Sequence, residues 1–223
     1  DERNLISEWL DDTKSRRYIW NAEQFQAIDT SFTGQLLGLF EPSHMQFEAD
    51  RSQDPGGEPS LAEMTTKALN RLMHNKEGFF LLVEAGRIDH GHHFGNAYRA
   101  LTDTLALDAA VAAAVAATDP EQTLIVVTAD HSHTLTISGY PTRGNPILGK
   151  VNQAASLVSQ AHSEYLPYTT LGYANGRGYK APYPDLTDVD TTARDYQQIA
   201  AVPLPMETHA GEDVAAFATG KAA

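Results

Sequence analysis

Two short apolar runs, Phe79–Val83 and Leu124–Val127, flank a helix-length stretch, and this arrangement constrains the fold more than any other feature of the chain. Neither run alternates with polar residues. A continuous apolar run of this length marks a strand covered on both faces, as in a parallel sheet. Between the runs, from residue 92 to 118, Phe94, Ala97, Tyr98, Leu101, Leu105 and Val115 recur near the helical period. Strand, helix, strand predicts a βαβ unit with parallel strands and a right-handed crossover. The expected fold is therefore α/β, with a mostly parallel central sheet flanked by helices.

The remaining segments fit around that unit. Residues 3–11 read as a short amphipathic helix, 17–20 as a strand and 36–40 as a buried strand ending at Glu41-Pro42. Residues 43–59 are rich in Gly, Pro and Asp and predict a loop. Ser60 caps a helix running to Asn75, with Leu61, Met64, Ala68, Leu69 and Leu72 on one face. Between 138 and 206 the apolar runs are short, and only Tyr168–Tyr173 predicts a strand there. Residues 213–219 return to a buried strand. Three parts result: an α/β part over 1–137, a loop-rich insertion over 138–206, and a return to the sheet over 207–223. A chain of 223 residues is long enough to bury one sizeable core.

Chemistry gathers where the apolar runs end. Glu84-Ala85-Gly86-Arg87-Ile88-Asp89-His90-Gly91-His92-His93 follows the first run, and Thr128-Ala129-Asp130-His131-Ser132-His133 follows the second. Both clusters thus fall at the carboxyl edge of the expected sheet, where open α/β sheets place their sites. A third segment, Glu207-Thr208-His209-Ala210-Gly211-Glu212-Asp213, carries one more histidine. Carboxylates and imidazoles in a chain with no cysteine are the ligand set of a hydrolytic zinc site, not of a structural zinc knuckle. Asp89 and His93 are four apart, so one helical turn brings them to the same side. Glu84 is placed to reach a neighbouring ion, and a strand-end loop can turn Asp130 and His131 toward one metal. His133 is a candidate to orient a ligand by a hydrogen bond. His90 and His92 are candidates to face substrate or solvent, and His90, which adjoins Asp89, is the one expected to face the substrate. His44, His74 and His162 read as surface residues. Ser132, wedged between two histidines, lacks the spacing a Ser-His nucleophile needs.

Charge narrows the partners. Twenty-nine acidic against sixteen basic residues give a formal charge of −13, which argues against a nucleic-acid-binding surface or an anionic membrane. Bound divalent cations would let so acidic a chain act on anionic substrates. By sequence, no apolar stretch is long enough to span a bilayer and the first residues do not form a signal peptide, so the start reads as a mature or cut end.

The three ligand segments, in this order, resemble the alkaline phosphatase family: Glu-x-Gly-x-Ile-Asp-His-x-x-His from Glu84, Thr-Ala-Asp-His-Ser-His from Thr128, and Glu-Thr-His-x-Gly-Glu-Asp-Val from Glu207. Gly38-Leu39-Phe40-Glu41-Pro42 and Gly139-Tyr140-Pro141-x-Arg143-Gly144 are similar to its animal-type branch. The resemblance implies that Asp89, His93 and His209 hold a first zinc, that Asp130 and His131 hold part of a second, and that Glu84 holds magnesium. It implies a calcium site at the Phe40 carbonyl, Glu41 and Glu58, and makes 138–206 a crown-like insertion. The implied activity is hydrolysis of phosphate monoesters at alkaline pH, releasing inorganic phosphate, by a homodimeric periplasmic or extracellular enzyme. The alternatives are a phosphodiesterase or sulfatase-like hydrolase of the same superfamily, or a non-catalytic metal-binding fragment. Nothing here matches the family's serine nucleophile, its zinc-bridging aspartate or its phosphate-clamping arginine. The expectation is an internal piece of a phosphatase, with the nucleophile supplied by an N-terminal portion or a separate chain.

Overall fold

The structure is a computed structural model that describes residues 3–11, 14–29, 31–151, 166–221 and 223; His162 lies outside them. The chain divides into two units, one of residues 1–85 with 104–123, the other of 86–103 with 124–223.

In the first unit, helix α1 (Leu5–Leu10) starts where the Asn4 side chain accepts a hydrogen bond from the Ser7 amide. Strand β1 (Arg16–Ile19), helix α2 (Ala22–Ala27) and strand β2 (Gln35–Gly38) form a small βαβ unit, its strands parallel with Ile19 opposite Gly38. Helix α3 (Leu61–Leu72) opens on a capping box: the Ser60 hydroxyl accepts from the Glu63 amide while the Glu63 carboxylate accepts from the Ser60 amide. Ile19, Phe25, Phe47, Leu69 and Ala110 are the buried apolar residues of this unit.

The second unit carries the ligand segments. It holds helix α4 (Arg87–His93) and the first turns of helix α5 (Ala97–Ala117), followed by strands β3 (Leu124–Val127), β4 (Ser132–His133), β5 (Leu135–Ile137), β6 (Leu171–Gly176), β7 (Ala200–Pro203), β8 (His209–Ala210) and β9 (Phe217–Gly220). β5 and β7 flank β6, antiparallel and parallel to it respectively, and β4 pairs antiparallel with β8. Leu171, Tyr173, Leu186, Ala200, Ala97 and Ala100 are buried.

The α/β character stands, with corrections of detail. Residues 78–83 form no strand, and the two-sided cover expected for them is absent: burial alternates, with Phe80 86% and Leu82 79% exposed while Phe79, Leu81 and Val83 are half-buried. With no ladder partner among the described residues, the run cannot pair in parallel with β3. β3 pairs antiparallel with β9 instead, Val127 opposite Phe217. Among the described residues two strand pairs are parallel and three antiparallel. β9 and β2 are not buried strands either, Phe217 being 67% exposed. The helix read as 92–118 is two helices, because Gly95 breaks it. α5, at 21 residues, is long and apolar enough by length and composition to cross a membrane, which corrects the sequence reading. Alanines supply that length, and the helix also carries Arg99, Asp103 and Asp108, a composition that core helices of soluble proteins share.

Candidate metal centre

Local backbone chemistry sets the candidate ligands in place. α4 ends in a left-handed Gly95, φ +64°, whose amide donates to the His92 carbonyl while the Asn96 amide donates to Gly91. This is the glycine-terminated helix end known as the Schellman motif, and it turns the chain back within two residues. α5 then starts at once: the Asn96 side chain accepts from the Arg99 amide, and the buried Gln198 side chain accepts from the Ala97 amide at 2.6 Å. The two helices approach closely at Gly91, where an added Cβ would lie 2.7 Å from the Ala100 amide nitrogen. On the other side, β4–β8 pairing sets His133 directly opposite His209.

These elements converge on one atom. Asp89 Oδ1 lies 2.9 Å from His133 Nε2, 3.3 Å from His93 Nε2, 3.3 Å from His209 Nε2 and 3.7 Å from His131 Nε2. His93 Nε2 and His209 Nε2 are 3.1 Å apart, and the His131 and His209 rings stack with centroids 3.5 Å apart. The proton positions of two rings follow from their partners. His93 Nδ1 faces the Glu207 carbonyl at 2.5 Å, and His131 Nδ1 faces the Ser132 carbonyl at 3.1 Å. A carbonyl only accepts, so both Nδ1 atoms carry the hydrogen and both Nε2 lone pairs point at Asp89. Burial pulls the Asp89 carboxyl upward, but the imidazoles of His93, His133 and His209 outweigh it and hold it below the usual carboxylate range. The Asp89 oxygen and ring nitrogens of His131, His133 and His209 all lie within 4.8 Å of one another, as do atoms of His93, His133 and Glu207, and one carboxylate among imidazoles is a donor set that suits zinc.

A buried layer backs this cluster. The Glu207 side chain has no exposed surface; it accepts from His133 Nδ1 at 2.7 Å, from the Thr134 amide at 2.6 Å and from the Thr134 hydroxyl at 2.8 Å. His92 stacks on His133 with centroids 4.7 Å apart, and its Nδ1 is 2.9 Å from the Tyr173 hydroxyl. Burial, reinforced by His133, lowers the His92 pKa from 6.5 to about 4. The unfolded chain therefore binds a proton between those values that the folded chain does not. The His92 contribution to stability is complete above pH 6.5 and is lost as the pH falls toward 4, with a limiting slope of about 1.4 kcal/mol per pH unit. Urea unfolding of the metal-free chain at pH 7, 5.5 and 4.5 should show this loss, and His92→Phe should flatten it. Equal pH slopes for the two chains would sink the assignment.

The other candidate residues stand as follows. The Asp130 side chain is 88% exposed; its Oδ1 accepts from the His131 amide at 3.1 Å, and its Oδ2 is 3.5 Å from His131 Nε2. Glu84 is exposed and belongs to the first unit. His90 is engaged with Arg87, its Nδ1 2.9 Å from the guanidinium. His44 and His74 are exposed. Glu41 and Glu58 meet at Gln46: the Gln46 amide donates to Glu58 at 2.6 Å, and its side chain donates to Glu41 at 3.2 Å. Burial, opposed by the Gln46 amide and aided by Asp54 and Glu41, raises the Glu58 pKa, and Glu58 Oε2 is buried with no hydrogen-bond partner. The ring of Phe40 packs edge-on against Phe25. Sequence reasoning gave Glu207 no role although it opens the third ligand segment, and it read His92 as facing substrate or solvent, whereas the ring packs between His133 and Tyr173.

The family model for alkaline phosphatase matches residues 1–223. The chain is 45% identical over 226 residues to the tissue-nonspecific alkaline phosphatase isozyme of Gallus gallus, covering 99% of this chain and 42% of that protein. It is 41% identical to an alkaline phosphatase of Gadus morhua, covering 99% of this chain and 46% of that one. Among solved structures, Thermus thermophilus alkaline phosphatase superimposes with a TM-score of 0.56 at 34% identity, over 62% of this chain and 29% of that one. The chain spans less than half the length of these relatives.

Proposed function

Because the chain belongs to the alkaline phosphatase family, we propose that it supplies the metal-binding portion of an enzyme hydrolysing phosphate monoesters at alkaline pH. Asp89, His93 and His209 would hold a first zinc, Asp130 and His131 would contribute to a second, and Glu84 would bind magnesium. Two zinc ions in such a site supply a clamp for the attacking and leaving oxygens of an in-line phosphoryl displacement. The serine nucleophile, which has no counterpart among these 223 residues, comes from outside this sequence.

The carrying observation is the convergence of the His93, His131 and His209 Nε2 atoms on Asp89 Oδ1, with two of those rings fixed in the ligating tautomer. Imidazole lone pairs gathered 3.1 Å apart repel one another unless a cation or a proton lies between them. The main-chain carbonyls of Glu207 and Ser132 hold the His93 and His131 rings, so that much of the arrangement stands before a metal enters. A calcium ion at the Phe40 carbonyl, Glu41 and Glu58 rests on the buried, unpartnered Glu58 oxygen, which lies in an acidic surrounding that a divalent cation would neutralise. His90 on the substrate side, a homodimeric assembly and a periplasmic or extracellular location complete the reading.

The test combines metal analysis with an ester panel on the enzyme that carries this chain. Two zinc equivalents and a preference for monoesters are expected. A preference for phosphodiesters or sulfate esters would move the enzyme to another branch of the superfamily. Bound zinc without turnover of any ester would make the chain a non-catalytic metal-binding module.

A further inference from the structure

Glu207 stands one layer behind the metal centre, and its side chain is fully buried. Its two carboxylate oxygens divide their work. Oε1 accepts from the amide and the hydroxyl of Thr134, which anchors the carboxylate to the residue that links β4 to β5. Oε2 is left for His133 Nδ1 at 2.7 Å, and the far side of the same ring presents Nε2 to Asp89 Oδ1 at 2.9 Å. The Glu207 main chain grips the other side of the site: its carbonyl accepts from His93 Nδ1, and its amide donates to the His93 carbonyl at 3.1 Å. A buried carboxylate is costly to desolvate and persists only where its acceptor sites are filled. Here they are filled by Thr134 on one oxygen and, on the other, by His133, whose far nitrogen faces the candidate zinc ligand Asp89.

We propose that Glu207 is a positioning residue for the metal centre, acting through His133 to fix the orientation of the Asp89 carboxylate. The inference rests on the reading of Asp89 as a zinc ligand. A carboxylate free to rotate would present either oxygen to the metal and would lose orientational freedom on binding. The Glu207–His133 pair removes that freedom in advance, as outer partners of ligands do. Because the main-chain contacts to His93 survive a side-chain change, Glu207→Gln tests the carboxylate arm alone. The glutamine oxygen stays with the two Thr134 donors, which turns its NH2 toward His133 Nδ1 and sets donor against donor.

The experiment uses the full chain with the metal alone. Zinc affinity is measured by chelator competition, and the histidine ring nitrogens are followed by 15N NMR in the metal-free protein. In the unaltered chain His133 Nδ1 should carry a slowly exchanging proton. In Glu207→Gln that signal should change from donor to acceptor character, and zinc affinity should fall roughly 10- to 100-fold. Glu207→Gln added to His133→Ala should cost nothing further, because both act through one ring. An unaltered Nδ1 signal, an undiminished zinc affinity in Glu207→Gln, or additive losses in the double variant would each overturn the proposal. Should Glu207→Gln fail to fold, the state of His133 Nδ1 in the unaltered chain still decides whether the pair exists. If the unaltered chain binds no zinc while its Nδ1 signal is as expected, the metal reading of the site fails and the pairing stands.

Discussion

Asp89→Asn should weaken zinc binding by more than the roughly 100-fold upper range for loss of an outer partner, because it removes the carboxylate charge on which the imidazoles converge. Four imidazole nitrogens lie within 3.7 Å of Asp89 Oδ1, so the substitution alters the centre of the cluster and not its margin. The amide is nearly isosteric, so folding should be retained and the loss should appear in affinity. His93→Ala should show a comparable loss, since His93 is held in its ligating tautomer by a main-chain carbonyl. His74→Ala, at an exposed position on no ligand segment, is the control. Chelator competition reads all three. Equal affinities for Asp89→Asn and His74→Ala would remove Asp89 from the site.

The second large effect concerns turnover. The 223-residue chain, purified and loaded with zinc and magnesium, should give no measurable hydrolysis of a generic phosphate monoester at alkaline pH. No stretch of it resembles the family's serine nucleophile or its phosphate-clamping arginine. Without the first no phosphoryl-enzyme intermediate forms, and without the second the transferring group lacks the fixed positive charge that stabilises it. Zinc should still bind, because the ligands that converge on Asp89 all come from this chain. Metal-dependent turnover that co-purifies with the chain and disappears in Asp89→Asn would mean that a nucleophile within these residues has been overlooked.

Local signals proved legible in the sequence where chemistry is written in short range. Ser60 and Glu63 announced the start of α3, and the Asp89–His93 spacing announced side chains that meet one turn apart. The cluster at the ends of the two apolar runs was visible because carboxylates and imidazoles rarely gather so densely without cysteine. Strand pairing was less legible. An apolar run states that a segment is to be covered but not by what, so 78–83 gave the same signal as β3 while only β3 has a ladder partner here. The alternating exposure of Phe80 and Leu82 belongs to tertiary context that no window of sequence contains. The break at Gly95 was legible in principle, since glycine inside a helical pattern is the usual left-handed stop, but the periodicity ran on across it. Glu207 was hidden for another reason. Its partners, His133 and Thr134, lie more than seventy residues away, and only the β4–β8 pairing brings them within reach.

The contact between α4 and α5 at Gly91 shows that the ligand stretch is not a portable cassette. A side chain of even one carbon there would meet the backbone of Ala100 at 2.7 Å, so one helix would have to slide off the other. Every ligand would still be present in the sequence, yet Asp89 and His93 would approach the β8 histidine along a different line. Relatives screened by their ligands alone can therefore be counted as complete when the site has come apart. The residue to read first between those histidines is the one that has no side chain.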